Sequence, residues 1–187
     1  MCHPQLRLAV ILAGAALGVS ALAASSSAPG QWLSLDGPWR FALDPNNQGI
    51  TGQWYTRTLQ DLVRLPGTTD ENHKGQLNER RETGRLTRVY TYAGAAWYQR
   101  QVDVPAQWRG RRLSLVLERT KTTQLWVDGK DMGRQDSLVA AHTYDLGSLT
   151  VGPHPLTLRI SNNEYPHIGD PHRIYHAEGI ESVREGS

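Results

Sequence analysis

Cysteine is almost missing from this sequence, which contains a single one, at position 2. The absence excludes a disulfide framework and any site built on several thiolates. Cys2 also precedes the N-terminal apolar run instead of following it, so it is not placed as a lipidated cysteine. A chain of 187 residues can bury enough surface to fold on its core alone.

The sequence also lacks an excess of either positive or negative residues. The sequence has 20 Lys and Arg against 18 Asp and Glu, a formal net charge of +2, and no basic run of five or more residues. The densest basic patch is Arg109-Gly110-Arg111-Arg112, which we interpret as a solvated turn between strands. This balance predicts no nucleic-acid partner.

No apolar run is long enough for an ordinary membrane-spanning helix. Residues 8–17 form a short apolar run after Arg7, and Ala21-Leu22-Ala23 follows with the small residues of a cleavage site. This layout predicts a signal peptide over residues 1–23, hence a secreted or periplasmic protein with no membrane contact after cleavage. The alternative is an uncleaved N-terminal anchor. Residues 24–31 are predicted to be a linker, and residues 32–187 one domain.

Helical periodicity is lacking over any ten-residue stretch, whereas alternation of apolar and polar residues recurs. Such alternation is typical of strands with one buried face. The apolar positions of three such stretches are Trp39, Phe41 and Leu43; Leu113, Leu115 and Leu117; and Leu156, Leu158 and Ile160. The sequence therefore predicts an all-β, antiparallel β-sandwich.

Turn residues separate these runs. Asp128-Gly129 predicts a tight hairpin, since both central residues of a type I′ turn need positive φ. Pro66-Gly67 is predicted to end a strand at Leu65, and Gly152-Pro153 to break the chain before the strand at Leu156. Residues 68–94 are polar and predict a long loop, which in a compact domain is mobile or functional.

Six landmarks, in order, resemble the N-terminal sugar-binding domain of glycoside hydrolase family 2, which includes β-galactosidases, β-glucuronidases and β-mannosidases. The similarity spans roughly residues 32–163. The landmarks are Ser34-Leu35-Asp36-Gly37-Pro38-Trp39-Arg40-Phe41, Leu65-Pro66-Gly67, Ala96-Trp97-Tyr98-Gln99-Arg100, Leu125-Trp126-Val127-Asp128-Gly129, Tyr144-Asp145-Leu146 and Leu156-Thr157-Leu158-Arg159-Ile160-Ser161-Asn162.

The resemblance implies a jelly-roll sandwich, like a galactose-binding domain, without catalytic residues of its own. In that family the catalytic carboxylates belong to a (β/α)₈ barrel that follows. This sequence ends at Ser187, and Ala177-Glu178-Gly179-Ile180 matches the family's closing segment only in part. We therefore expect a truncated or frameshifted product, or one piece of a split gene. The implied partners are a β-glycoside and a separately encoded catalytic barrel, with no cofactor.

The resemblance also implies substrate-binding residues, because this domain lends polar side chains to the rim of the barrel's active site. The matching positions here are Asp70, Asn72, Asp170 and His172. Aromatic residues in or beside loops are further candidates, since their faces pack on sugar rings. These are Trp54, Tyr55, Tyr90 and Tyr92, for which packing in the core or against the barrel is the alternative.

Three other patterns receive the simpler interpretation. Asn163-Glu164 resembles a catalytic pair but follows a sandwich strand, so we interpret it as a loop. Glu71, Glu79 and Glu82 are interpreted as solvated loop charges. His167, His172 and His176 near Asp170 would allow a metal site, but their spacing matches no fixed zinc pattern and we predict no metal.

The leading hypothesis is a carbohydrate-binding domain of a β-galactosidase-like hydrolase, inactive as an isolated chain. The alternatives are a free-standing lectin-like module and a structural sandwich that binds another protein, because a fold alone does not determine function.

Overall fold

The computed structural model describes the backbone of residues 6–11 and the residues 31–79 and 88–164. Within these ranges the regular structure consists of strands and two single 3₁₀ turns, Trp54–Thr56 and Ala106–Trp108. The strands are β1 (Leu6–Ile11), β2 (Trp32–Ser34), β3 (Gly37–Asp44), β4 (Asp61–Leu65), β5 (Gln76–Leu77), β6 (Tyr90–Thr91), β7 (Ala95–Val104), β8 (Arg112–Leu117), β9 (Thr122–Val127), β10 (Lys130–Gln135), β11 (His142–Gly147) and β12 (Gly152–Ser161).

The strands form two main antiparallel sheets. Six strands pair in the order β10-β9-β12-β7-β3-β4, and four pair in the order β11-β8-β1-β2. Strands β5 and β6 form a separate two-stranded sheet. The predicted all-β sandwich is confirmed.

The inner faces of the two sheets meet in one apolar core. Phe41 and Tyr98 of the six-stranded sheet lie in the same buried cluster as Leu115 and Tyr144 of the four-stranded sheet. The rings of Phe41 and Tyr98 make an edge-to-face contact with centroids 5.0 Å apart. The predicted alternation is visible in β3, where Trp39 and Phe41 are buried and Arg40 is exposed.

The hairpin prediction is also confirmed. Asp128 and Gly129 connect β9 to β10 with φ values of 52° and 76°. An aspartate tolerates this left-handed conformation and a glycine adopts it at little cost, which explains their order in the turn.

The break predicted at Gly152-Pro153 is wrong. Strand β12 begins at Gly152 and continues through both prolines, with Pro153 paired to Asp103 and Pro155 to Gln101 of β7. Its other neighbour, β9, pairs only from Leu156 onward. The first four residues therefore form an edge on that side, where proline is tolerated.

The region predicted as one long loop, 68–94, is partly organised. Strands β5 and β6 pair Gln76 with Thr91 and Leu77 with Tyr90, while residues 80–87 lie outside the described part of the chain. No helix in the described ranges is long and apolar enough to cross a bilayer.

Strand β1 coincides with the segment predicted to be a signal peptide. Its backbone pairs with β8 from Leu6↔Leu117 to Ile11↔Arg112, and with β2 from Arg7↔Ser34 to Ala9↔Trp32. The signal peptide remains a prediction, and its removal would leave β8 and β2 without this shared neighbour.

Candidate functional site

Two of the substrate-binding residues predicted from the resemblance lie in the loop after β4. The Oδ1 atom of Asp70 accepts a hydrogen bond from the backbone N of Tyr90 at 2.7 Å. The Oδ1 atom of Asn72 accepts from the N of Arg64 at 2.7 Å, and its Nδ2 donates to the carbonyls of Arg64 and Thr68. These bonds connect the loop to β4 and β6, and each residue's role toward a sugar remains a prediction.

The other predicted site residues lie outside the described chain. Asp170 and His172 belong to residues 165–187, as do His167 and His176 of the considered metal site. Within the described ranges, no three His, Cys, Asp or Glu side chains are grouped closely enough to hold a metal ion.

Two glutamates discussed in the sequence analysis, Glu71 and Glu164, have local partners, whereas Glu82 lies outside the described residues. Glu71 accepts a hydrogen bond from the N of Thr68 at 2.7 Å and thus closes the turn at the start of its loop. Glu164 pairs with Arg159, whose side chain is 3% exposed, and lies 3.0 Å from Arg134. Burial would raise the pKa of Glu164, but the bond to Arg159 and the charges of both arginines outweigh it and lower that pKa.

The outer face of the six-stranded sheet carries a second buried cluster, which includes Trp97 and Trp126, two residues that the strand pattern predicts to be core. Residues 45–60, here called the covering loop, connect β3 to β4 across this face. Leu59 of the loop packs with Trp97 of β7 and Trp126 of β9, and all three are buried. The face that alternation predicts to be solvated is therefore partly covered.

Asp44, at the end of β3, holds the start of the covering loop. Its carboxylate is 2% exposed and accepts hydrogen bonds from the backbone N atoms of Gln48 at 2.7 Å and Gly49 at 2.8 Å. It also accepts from Nε1 of Trp97 at 2.9 Å. A Cβ atom on Gly49 would overlap the indole of Trp97, so glycine is required there by close approach.

Gln99 of β7 holds the other end of the covering loop. Its Nε2 donates to the carbonyls of Trp54 at 3.0 Å and Arg57 at 2.8 Å, and its Oε1 accepts from the N of Leu59 at 2.9 Å. One amide side chain thus fixes three points of the loop against the sheet.

The loop and the sheet together build a stack of aromatic rings. Trp97 and Trp126 stack with centroids 5.1 Å apart, and Tyr55 stacks on Trp126 with centroids 5.0 Å apart and an angle of 2° between the rings. Trp97 and Trp126 are buried, whereas Tyr55, at the outer end, is partly exposed.

A groove of about 630 Å³ opens beside Tyr55 on this outer face. Its floor includes Gln99 and Thr157, from the neighbouring strands β7 and β12, and its walls include Arg57 of the covering loop and Asp128 of the β9–β10 turn. The arrangement presents an aromatic ring next to amide, hydroxyl and charged groups, which is the combination that holds a sugar.

The charged side chains of the groove are held in defined directions. Arg40 donates to the carbonyl of Leu59 at 3.0 Å, and Arg57 donates to that of Gly52. Asp128 lies 2.7 Å from Nδ1 of His154. Burial would lower the pKa of His154, but its bonds to Asp128 and to the carbonyl of Thr150, with the charge of Asp128, raise that pKa overall.

Sequence reasoning found part of this groove. Tyr55 was a ligand candidate and lines it, whereas Tyr92 donates to the carbonyl of Ala95 at 2.6 Å and Tyr90 packs on His73. Sequence reasoning missed Arg40, Gln99 and Thr157. All three are polar residues at outward-facing positions of their strands. That feature points to a common site only when the order of the strands in the sheet is known.

The comparisons with known proteins agree with this architecture. Residues 32–152 match the family described as glycosyl hydrolases family 2, sugar binding domain. The β-glucuronidase of Paenibacillus borealis is 29% identical over 99 residues, covering 52% of this chain and 15% of that protein. Human β-glucuronidase is 29% identical over 164 residues, covering 82% of this chain and 24% of that protein.

Solved structures show the same fold. A β-glucuronidase from an uncultured Clostridium species superposes with a TM-score of 0.54 at 22% identity, over 68% of this chain and 21% of that one. A Ruminococcus gnavus β-glucuronidase in complex with uronic deoxynojirimycin gives 0.54 at 18% identity, over 68% and 21%. The chain therefore spans about a quarter or less of the proteins it is similar to.

Proposed function

Because this chain belongs to the sugar binding domain family of the family 2 glycosyl hydrolases, we propose that it holds a β-glycoside for a β-glucuronidase-type hydrolase. The match over residues 32–152 carries the proposal, since it includes β3, β7, the covering loop and the Asp128-Gly129 turn, which supply most of the residues that line the groove. In this proposal the sugar ring packs on Tyr55, and the polar groups around it bind the hydroxyls.

We propose that hydrolysis itself needs another polypeptide segment, such as a separately encoded barrel. Glycoside hydrolysis usually takes two carboxyl groups facing one bond, about 5–5.5 Å apart for retention or about 6.5–9.5 Å for inversion. Among the described residues that line the groove, Asp128 is the one carboxylate, and it is already paired with His154.

Two measurements on the pure chain test this function. Calorimetric titration with phenyl β-glucuronide, β-galactoside and β-mannoside is expected to show millimolar or tighter binding of at least one of them. Nitrophenyl glycosides of the same sugars are expected to give no turnover above buffer. No binding of any saccharide would remove the proposal, and turnover abolished by Asp128→Asn would replace it with a catalytic role for this chain.

The hydrolase partner is tested separately. Replacing the corresponding domain of the Paenibacillus borealis β-glucuronidase with residues 32–164 of this chain should give a chimera that retains glucuronidase activity. A soluble, folded chimera without activity would argue against a positioning role, while leaving saccharide binding by the pure chain intact.

Export is part of the proposal and has its own test. The apolar run at residues 8–17 and the small residues before Ala24 support a secreted or periplasmic location. Sequencing the N-terminus of the chain recovered from the periplasm or medium should give a start at Ala24, and recovery of intact chain in the cytoplasm would contradict export.

A further inference from the structure

The groove beside Tyr55 carries an unbalanced charge. Two arginines on the outward side of the sheet line it, Arg40 and Arg57, against the one carboxylate of Asp128 among the described residues. The guanidinium of Arg100 lies on the other face of the sheet, over Trp39. Asp128 is paired with His154, so it neutralises neither Arg40 nor Arg57 directly. For a chain whose net charge is only +2, this concentrates positive charge at one place.

Both arginines donate to backbone carbonyls, Arg40 to that of Leu59 and Arg57 to that of Gly52. In the described chain neither of them forms an ion pair with a carboxylate. A guanidinium has five N–H donors, so bonds of this kind fix its direction and leave further donors for a ligand.

Gln99 fixes the backbone next to both arginines. The carbonyl that Arg40 binds belongs to Leu59, whose N donates to Gln99, and Gln99 donates to the carbonyl of Arg57. Arg40 and Arg57 are both exposed. Both line the same groove as Tyr55, so two positive charges without a carboxylate partner face one site.

The size of the groove bears on the length of its ligand. A volume of about 630 Å³ lies within the range of sites that take drug-sized molecules, which are larger than one pyranose ring. The two guanidiniums that line it can pair with two negative groups, and guanidinium matches carboxylate geometry in a bidentate manner.

We propose that this groove binds an acidic oligosaccharide carrying carboxylates on more than one residue, a segment of a polyuronate chain. Arg40 and Arg57 bind the carboxylates, and Tyr55 packs on a sugar ring between them. The inference rests on the proposed carbohydrate-binding function and extends it from a single glycoside to a charged polymer.

The test compares ligands of equal length and unequal charge. The pure chain is titrated with tetragalacturonate, with a neutral tetrasaccharide, with monomeric glucuronate and with sodium sulfate. Tetragalacturonate is expected to bind at least about 10-fold more tightly than the neutral tetramer and the monomer, and to weaken on raising the salt from about 0.05 to 0.5 M.

Matched variants locate the site. Arg40→Gln and Arg57→Gln together should abolish the preference for the acidic tetramer. Arg40→Lys and Arg57→Lys keep the positive charges and should retain part of that preference. Arg109→Gln removes the same charge at an exposed position that does not line the groove and should change nothing. Thermal unfolding of each variant checks that the fold is retained.

The possible outcomes distinguish a failure of polyuronate binding from a failure of carbohydrate binding. If acidic and neutral tetramers bind equally and the Arg variants leave both unchanged, this inference is wrong and carbohydrate binding stands. If sulfate competes as well as the tetramer, the site takes small anions and the polymer assignment is wrong. If no saccharide binds, the proposed function is wrong as well.

Discussion

The ring of Tyr55 lies parallel to the indole of Trp126, with centroids 5.0 Å apart and 2° between the planes. Tyr55 belongs to the covering loop and Trp126 to strand β9, so the contact joins the loop to the sheet across the outer face. It gives the groove a rigid aromatic wall, since Trp126 is itself stacked on the fully buried Trp97.

Removing that wall should weaken ligand binding. Tyr55→Ala is expected to lower saccharide affinity by about 10-fold, because aromatic contacts contribute about 0.5–1.5 kcal/mol beyond the area they bury. Tyr55→Phe keeps the ring and is the control, expected to bind within about 3-fold of the unmodified chain. Calorimetric titration measures both, and equal loss in the two variants would show that the hydroxyl acts instead of the ring face.

Replacing Asp44 should destabilise the covering loop. Asp44→Ala leaves three donors, including the buried Nε1 of Trp97, without their acceptor, and an unsatisfied buried donor costs about 1–3 kcal/mol. We expect the free energy of unfolding to fall by about 3 kcal/mol or more in urea titrations. Asp103→Ala, an exposed aspartate on β7, is the control and should change it by under about 0.5 kcal/mol.

The ion pair between His154 and Asp128 should make stability depend on pH. Because the folded pKa of His154 is raised above 6.5, the pair contributes fully below pH 6.5 and is lost as pH rises through the folded pKa. The difference in unfolding free energy between the unmodified chain and Asp128→Asn should therefore be larger at pH 5.5 than at pH 8.5. Its size should stay below about 1 kcal/mol, since the Asp128 side chain is 46% exposed.

That comparison has an internal check. Asn tolerates the left-handed turn conformation of position 128 as Asp does, so the variant removes the charge and leaves the hairpin possible. An equal difference at both pH values would mean that His154 does not carry the effect.

Removing residues 1–23 should expose the edge of β8. Strand β8 then loses its pairing with β1 over six residues, and β2 loses its neighbour. We expect the truncated chain to unfold with a free energy lower by a few kcal/mol, at roughly 1 kcal/mol per lost hydrogen bond. A synthetic peptide of the β1 sequence, LRLAVI, should restore stability in a concentration-dependent manner, whereas a scrambled peptide should not.

The result decides whether β1 contributes to the folded domain. Equal stability of the full-length and truncated chains, with no effect of the peptide, would mean that the domain folds without this strand. Self-association of the truncated chain, measured by sedimentation, would show that the open edge pairs with a second copy.

Local patterns predicted the sandwich because they concern residues close together in sequence. Alternation assigned Trp39 and Phe41 to the core, and Asp128-Gly129 to a turn, from side-chain periodicity and backbone sterics alone. Alternation also assigned Trp97 and Trp126 to the core, and both are buried. They are buried on the opposite face of the sheet, which alternation could not predict, because a loop distant in sequence covers them.

Loop residues were the least predictable part of the site. Asp70 and Asn72 were predicted from their positions in the family resemblance, and the structure shows their side chains bonded to the backbone. A single sequence does not distinguish a polar residue that bonds the backbone of a turn from one that binds a ligand, because both roles need the same donors and acceptors.

What the sequence determined by itself is the all-β class, the inward faces of β3, β8 and β12 and the tight turn at Asp128-Gly129, because these depend on periods of two residues and on local backbone conformation. What only the tertiary structure decided is the groove. Arg40, Gln99 and Thr157 lie on three strands far apart in the chain, and Arg57 and Tyr55 on the loop above them. The strand order and the path of the covering loop bring these five residues together, and neither can be predicted from local sequence patterns.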